Sequence, residues 1–145
     1  MALASAIAGT VLAGGLIAAT PAQADVRGGG CRLKGWAGTT PGVLLDACSM
    51  LGAEGAFMGE VKVQNPNRLV IYVCAQLLRV HDDGSTNWAY DYKCAGPSIG
   101  DVDWYTPGEY PDDGGGYLGT YVIQVGYWYN GSYYGNAQSA RITVT

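Results

Sequence analysis

Five carboxylates stand close together late in the chain: Asp101, Asp103, Glu109, Asp112 and Asp113. Two carboxylates held at the right separation can serve as acid and base on a glycoside. A set of them can also wrap calcium, a hard cation that takes about six to eight oxygens. Asp101 and Asp103 would supply two ligands and Asp112 and Asp113 two more, although no EF-hand spacing is present. The plainer expectation for such a run is a solvated loop. The single histidine, His81, lies in His81-Asp82-Asp83-Gly84, the composition of a hairpin tip, and neither a Gly-x-Ser-x-Gly elbow nor a His-Glu-x-x-His pair occurs. Cys31, Cys48, Cys74 and Cys94 are widely spaced and lack companion histidines, which argues against structural zinc. Bridged in two disulfides, they offer no thiol nucleophile either. These residues predict a non-enzymatic protein without a cofactor, with calcium at the acidic loop as the one cation to consider.

The aromatic residues carry a different chemistry. The chain holds 4 Trp and 11 Tyr, and many of them flank Asn130-Gly131, a dipeptide that tolerates the positive φ angles of a type I′ hairpin turn. A two-residue turn pairs Tyr129 with Ser132, Trp128 with Tyr133, Tyr127 with Tyr134 and Gly126 with Gly135. With Ile123 and Val125 pointing into a core, Tyr127, Tyr129 and Tyr134 share their side, while Gln124, Trp128 and Tyr133 project outward. Those three residues form a candidate platform for stacking a sugar ring or anchoring a partner protein. The alternative is that Trp128 and Tyr133 fold over Gly126 and Gly135 to shield the backbone. Cross-strand aromatic pairs stabilise hairpins without any ligand, which favours shielding.

Residues 1–24 form an uncharged Ala, Leu, Gly and Ile stretch that ends in Pro21-Ala22-Gln23-Ala24, the small-x-small form of a signal-peptidase site. Gly, Thr and Pro dilute the stretch, so a cleaved signal peptide is expected in preference to a membrane anchor. Residues 25–145 then make a single secreted domain with no membrane insertion after cleavage. Export places the cysteines in an oxidising compartment where disulfides persist. Charge is uneven: residues 25–80 carry a net +2 and residues 81–145 a net −6, within a total of −4. An acidic chain without a basic cluster is a poor binder of nucleic acid or of anionic membranes.

Strand signals dominate the elements that must position these groups. Arg68 to Val80 and Trp88 to Cys94 are β-rich runs around a turn-forming cluster, His81 to Asn87. Placing Val80 opposite Trp88 sets Leu78 against Tyr90, Gln76 against Tyr92 and Cys74 against Cys94 on one apolar face, with Arg79, Asp91 and Lys93 on the other. Cys31 and Cys48 are symmetric about the turn formers Gly38 to Gly42, which pairs them across a second hairpin. Residues 40–51 also fit a short helix capped by Thr40 with Pro41 at its first position; strand is preferred. Phe57, Gly59, Val61 and Val63 alternate with polar or exposed neighbours up to Asn65-Pro66-Asn67. Ala95 to Gly116 reads as a long loop around a short strand within Ile99 to Tyr105.

About seven short strands, two disulfides and little helix predict an all-β antiparallel sandwich. Leu118-Gly119-Thr120-Tyr121-Val122-Ile123-Gln124-Val125 resembles the tyrosine corner and following strand of immunoglobulin-like and fibronectin type III domains, which implies that sandwich fold with Tyr121 at the corner. No cysteine follows Tyr121 by two residues, so the inter-sheet Cys-Trp-Cys core of antibody domains is not implied. Two other secreted families fit less well: the cysteine-anchored reactive loop of subtilisin-inhibitor-like proteins is absent, and the cysteine spacings differ from those of enediyne apoproteins. The chain is also similar in class to the β-sandwich adaptors of bacterial umbrella toxin particles. The functional expectation is an extracellular module recruiting a protein partner, within a toxin or surface assembly; a carbohydrate or small-ligand binder and a secreted inhibitor are the alternatives. Amino-terminal sequencing of secreted material is expected to begin at Asp25, and a membrane-bound product retaining Met1 would contradict the export reading.

Overall fold

The computed structural model describes residues 25–52 and 55–145; the expected signal peptide, residues 1–24, and its cleavage point after Ala24 lie outside them. Local sequence chemistry accounts for the strands. Phe57-Met58-Gly59-Glu60-Val61-Lys62-Val63 alternates strictly and forms a strand with one buried and one open face. Val-, Ile- and Tyr-rich runs extend elsewhere, and Asn130 (φ 47°) and Gly131 (φ 76°) close the last hairpin with two positive φ angles.

In chain order the strands are β1 (Val26–Gly28), β2 (Gly30–Cys31), β3 (Ala37–Gly38), β4 (Leu44–Leu51), β5 (Phe57–Gln64), β6 (Tyr72–Val80), β7 (Thr86–Cys94), β8 (Val102–Tyr105), β9 (Gly119–Tyr129), β10 (Ser132–Gln138) and β11 (Ile142–Val144). They build two antiparallel sheets. A six-stranded sheet has the order β1-β11-β9-β6-β7 with β10 also on β9, and a five-stranded sheet has the order β2-β4-β5-β8 with β3 also on β4. Both sheets contribute to one core: Leu45, Ala47, Phe57, Val61 and Val63 meet Val73, Ala75, Leu77, Tyr121, Ile123, Val125 and Tyr127. Burying such side chains is worth about 1.5–3 kcal/mol each and drives the two layers together.

Residues 44–51 are strand, so the helical alternative for residues 40–51 falls; Val43 and Leu45 enter the core as alternate residues of an extended chain. Cys31 is bridged to Cys48 and Cys74 to Cys94, each pair directly opposed within its own sheet. The β9–β10 register matches the turn-based expectation at all four pairs from Tyr129↔Ser132 to Gly126↔Gly135. A bulge at Asn136 then shifts the strand, and the run expected to be continuous to Thr145 divides into β10 and β11.

The β6–β7 register departs from expectation near the turn. Val80 pairs with Thr86, not Trp88; Leu78 pairs with Trp88, not Tyr90; and Leu77, rather than Leu78, faces Tyr90. Gln76 has no direct partner in this ladder. Two irregularities, between Leu78 and Leu77 and between Leu77 and Ala75, insert extra β7 residues and restore the register at Cys74↔Cys94. The first swings Ala89 into the core, where it is fully buried. The core-facing side of β6 is therefore Val73, Ala75 and Leu77, while Cys74, Gln76, Leu78 and Val80 lie on the opposite side, where Leu78 and Val80 join Val122 in a second, smaller buried cluster. Replacing Cys74 and Cys94 together by alanine is expected to cost about 3 kcal/mol of stability, measured by urea unfolding of the oxidised protein.

Candidate functional site

The acidic run is divided among separate structural tasks. Arg79 reaches from β6 to Asp113, with Nε–Oδ2 at 2.6 Å and Nη2–Oδ1 at 3.0 Å, and both side chains are largely buried. The same guanidinium donates to the carbonyls of Leu118 and Gly116 and lies 4.8 Å over the ring of Tyr121. The Tyr121 hydroxyl in turn donates to the carbonyls of Gly116 and Tyr117 at 3.0 Å, the backward reach of a tyrosine corner. Together these bonds fasten the segment 107–118 across the open side of the two sheets. A backbone bridge between Phe57 and Glu109 and the bond from Asp112 N to the Ala89 carbonyl complete it.

The four aspartates named as a candidate calcium loop are thus placed apart in role. Asp101 accepts a hydrogen bond from the Asn65 amide, and Asp103 sits in β8 opposite Lys62. Asp112 is exposed, and Asp113 belongs to Arg79. Among the described residues, the group of His, Cys, Asp or Glu drawn within metal-binding reach is Cys31, Cys48 and Glu60, in which both sulfurs are already bonded to each other.

The two outer faces differ in charge. On the five-stranded sheet, one row reads Asp46, Lys62 and Asp103 across β4, β5 and β8, and the next reads Cys48, Glu60 and Tyr105. Lys62 contacts Glu60 at 3.3 Å, and the Tyr105 hydroxyl donates to Glu60 at 2.8 Å. On the six-stranded sheet, successive outward rows read Tyr72–Trp128–Tyr133, then Cys94–Cys74–Gly126–Gly135, then Gln76–Gln124–Gln138. Below them come Trp88–Leu78–Val122 and Thr86–Val80–Thr120. The first four rows contain no charged side chain; the last continues through Thr143 on β11 to Arg27 on β1.

Of the candidate platform residues, Trp128, Tyr133 and Gln124 all lie on this face, and the structure divides their roles. Tyr133 leans over Gly126, where a Cβ would sit 2.6 Å from the Tyr134 carbonyl oxygen and collide with the Tyr133 ring. Shielding is therefore the part Tyr133 plays. Its hydroxyl is buried with no hydrogen-bond partner among the described residues, and burial, then the neighbouring Tyr92, pushes its pKa far up. Tyr133 packs edge-on against Trp128 at 5.4 Å and against Tyr92 at 5.7 Å. Trp128 itself stays open at 46 %, with Tyr72 at 47 %, Trp88 at 44 % and Tyr92 at 43 %. Gln124 accepts from Gln138 and donates to Asn136, both at 3.1 Å. Gln76 makes no hydrogen bond through its side chain among the described residues, leaving its amide open in the middle of the face.

Sequence reasoning passed over Tyr72, Tyr92 and Trp88 as partners of Trp128. Tyr72 shares the parity of Cys74, and the expected register already set Trp88 and Tyr92 on the side of Cys74 and Gln76; what the β7 irregularities change is which β6 residue each one faces.

Two outcomes follow from these contacts. Tyr133→Phe removes an unpartnered buried hydroxyl and keeps the ring, so thermal unfolding is expected to show stability unchanged or raised by about 1 kcal/mol. Arg79 holds the Asp113 carboxyl below the usual carboxylate range. The stabilisation is fully present above the unfolded-state pKa of about 3.9 and is lost as pH falls through the lower folded value. Asp113→Asn is expected to lose about 2 kcal/mol at neutral pH and to flatten the acid limb of a stability–pH curve. Comparison of the chain with protein-family models, with curated proteins and with solved structures finds no match.

Proposed function

We propose that the protein is a non-enzymatic extracellular binding module that holds its partner against the outer face of the six-stranded sheet. The observation that carries this reading is the contrast between faces: four rows without charge and with four half-exposed aromatic rings on one side, and ionic rows on the other. In an acidic chain, an uncharged aromatic expanse is a surface that water solvates poorly and a partner can cover with gain.

Two disulfides fit an extracellular setting, since such bonds persist where thiols are not kept reduced. The Tyr121 corner and the two stacked antiparallel sheets support an immunoglobulin-like arrangement of the sandwich. An adaptor holding a protein partner draws on the enrichment in Tyr and Trp and the depletion of charge that mark the buried centres of protein interfaces. A specific observation favours a carbohydrate occupant as well. The middle of the face is a row of amides, not an apolar centre.

The face assignment is tested by affinity capture from the secreted fraction of the producing organism, at about 1 M NaCl so that surface charge is screened. A stoichiometric component retained by the wild type and lost with Trp128→Asp is expected. Retention by Trp128→Asp together with loss by Glu60→Lys would assign the contact to the other sheet.

A further inference from the structure

We infer that the partner of the uncharged face is a linear, neutral polysaccharide lying along β6, gripped by rings at both ends and by amides between them. The inference rests on the binding-face reading and names the chemical class of its occupant. Sugar rings present patches of C–H groups that stack on aromatic faces, and a belt of hydroxyls that trade hydrogen bonds with amides. Both complements are here in the order a chain of sugars needs.

At one end Trp128 and Tyr72 are directly opposed neighbours on β9 and β6. At the other, Trp88 stands opposite Leu78. From the Tyr72 row to the Leu78 row the distance is about 20 Å at roughly 3.3 Å per strand residue, enough for several sugar rings and too long for a monosaccharide. Between the ends lies the amide row. Gln76 has both amide groups open, and the Gln138–Gln124–Asn136 chain of bonds fixes the orientation of the Gln124 amide beside it. Fixed amides keep one donor and acceptor pattern, which a regular glycan can match repeat by repeat.

The rings are held as well. Tyr133 buttresses Trp128 edge-on, and Tyr92 buttresses Tyr133 in the same way, so Trp128 is ordered before any ligand arrives. Gly126 makes this possible by leaving room for the Tyr133 ring to lie flat over the strand. The lack of charge selects the class further. Between the Tyr72 row and the Leu78 row an anionic polymer finds no cation, and a cationic one no carboxylate, whereas a neutral chain loses nothing by being placed there.

The test uses the oxidised protein in affinity electrophoresis through gels containing xyloglucan, galactomannan, laminarin or hydroxyethylcellulose, with pectin as the acidic control, and in sedimentation with cellulose and chitin. At least one neutral polymer is expected to retain the protein, unchanged at about 1 M NaCl. Trp128→Ala and Trp88→Ala are each expected to lower affinity about tenfold, the cost of one stacking contact, while Tyr105→Ala on the other sheet has no effect. Circular dichroism reports folding, and Trp128→Tyr and Trp88→Tyr, which keep a ring, should retain binding. Retention by no polymer, retention by pectin alone, or full affinity in Trp88→Ala would overturn the inference. If no polymer binds but a secreted protein is captured and lost with Trp128→Asp, the occupant is a protein and the face stands. If capture ignores that substitution, the face reading itself fails.

Discussion

β6 and β9 pair without interruption over nine positions, from Tyr72↔Trp128 to Val80↔Thr120, and the remaining structure takes its parity from that ladder. Because side chains alternate strictly, one register decides at once which residues of two central strands meet the core and which meet solvent. Val73, Ala75 and Leu77 face inward alongside Ile123, Val125 and Tyr127, and the opposite set carries the glutamines, the aromatic row and one disulfide. A slip of β9 by a single residue would bury Gln124 and expose Ile123, Val125 and Tyr127, a cost of several side-chain burials. The ladder is protected at its ends by unlike means: the Arg79–Asp113 pair with the Tyr121 corner below, and the Tyr133–Trp128 contact above.

Much of this was legible in the sequence because it is encoded locally. Asn130-Gly131 determines its own turn type, and the turn determines the register of the strands it joins, so four cross-strand pairs followed from two residues. The strict alternation of Phe57 to Val63 likewise needs no distant partner. The β7 register was not legible, since Trp88-Ala89-Tyr90-Asp91-Tyr92-Lys93-Cys94 contains no glycine or other mark of a bulge. The pairing of Cys74 with Cys94 was nonetheless right, because the irregularities lie between the cysteines and the turn. Leu78 lies on the side of Cys74 and Gln76 as expected, but the irregularities set Trp88 rather than Tyr90 opposite it.

Candidate sites divided along the same line. Trp128, Tyr133 and Gln124 were placed on one outward face by alternation alone. The roles of the aspartates depend on contacts far away in sequence: Asp113 on Arg79, Asp101 on the backbone of Asn65. Charge counting along the chain separated a basic half from an acidic half, yet the contrast that the fold creates is between two faces, each assembled from both halves. Ion pairing within the five-stranded sheet gathers charge there, and the Gln, Thr and aromatic residues are what remains for the other side.

Both disulfides join strands that are neighbours within one sheet, at sequence separations of 17 and 20, and neither connects the two layers. Each bridge can consequently close when little more than its own hairpin exists, before the layers meet. Contacts so near in sequence form early, since little loop entropy opposes them. Oxidation of each pair would then act as a ratchet on local structure, committing each sheet to its register while the slower docking of distant strands proceeds. The chain reaches its long-range pairings, β1 with β11 and β6 with β9, with the number of misregistered alternatives already reduced.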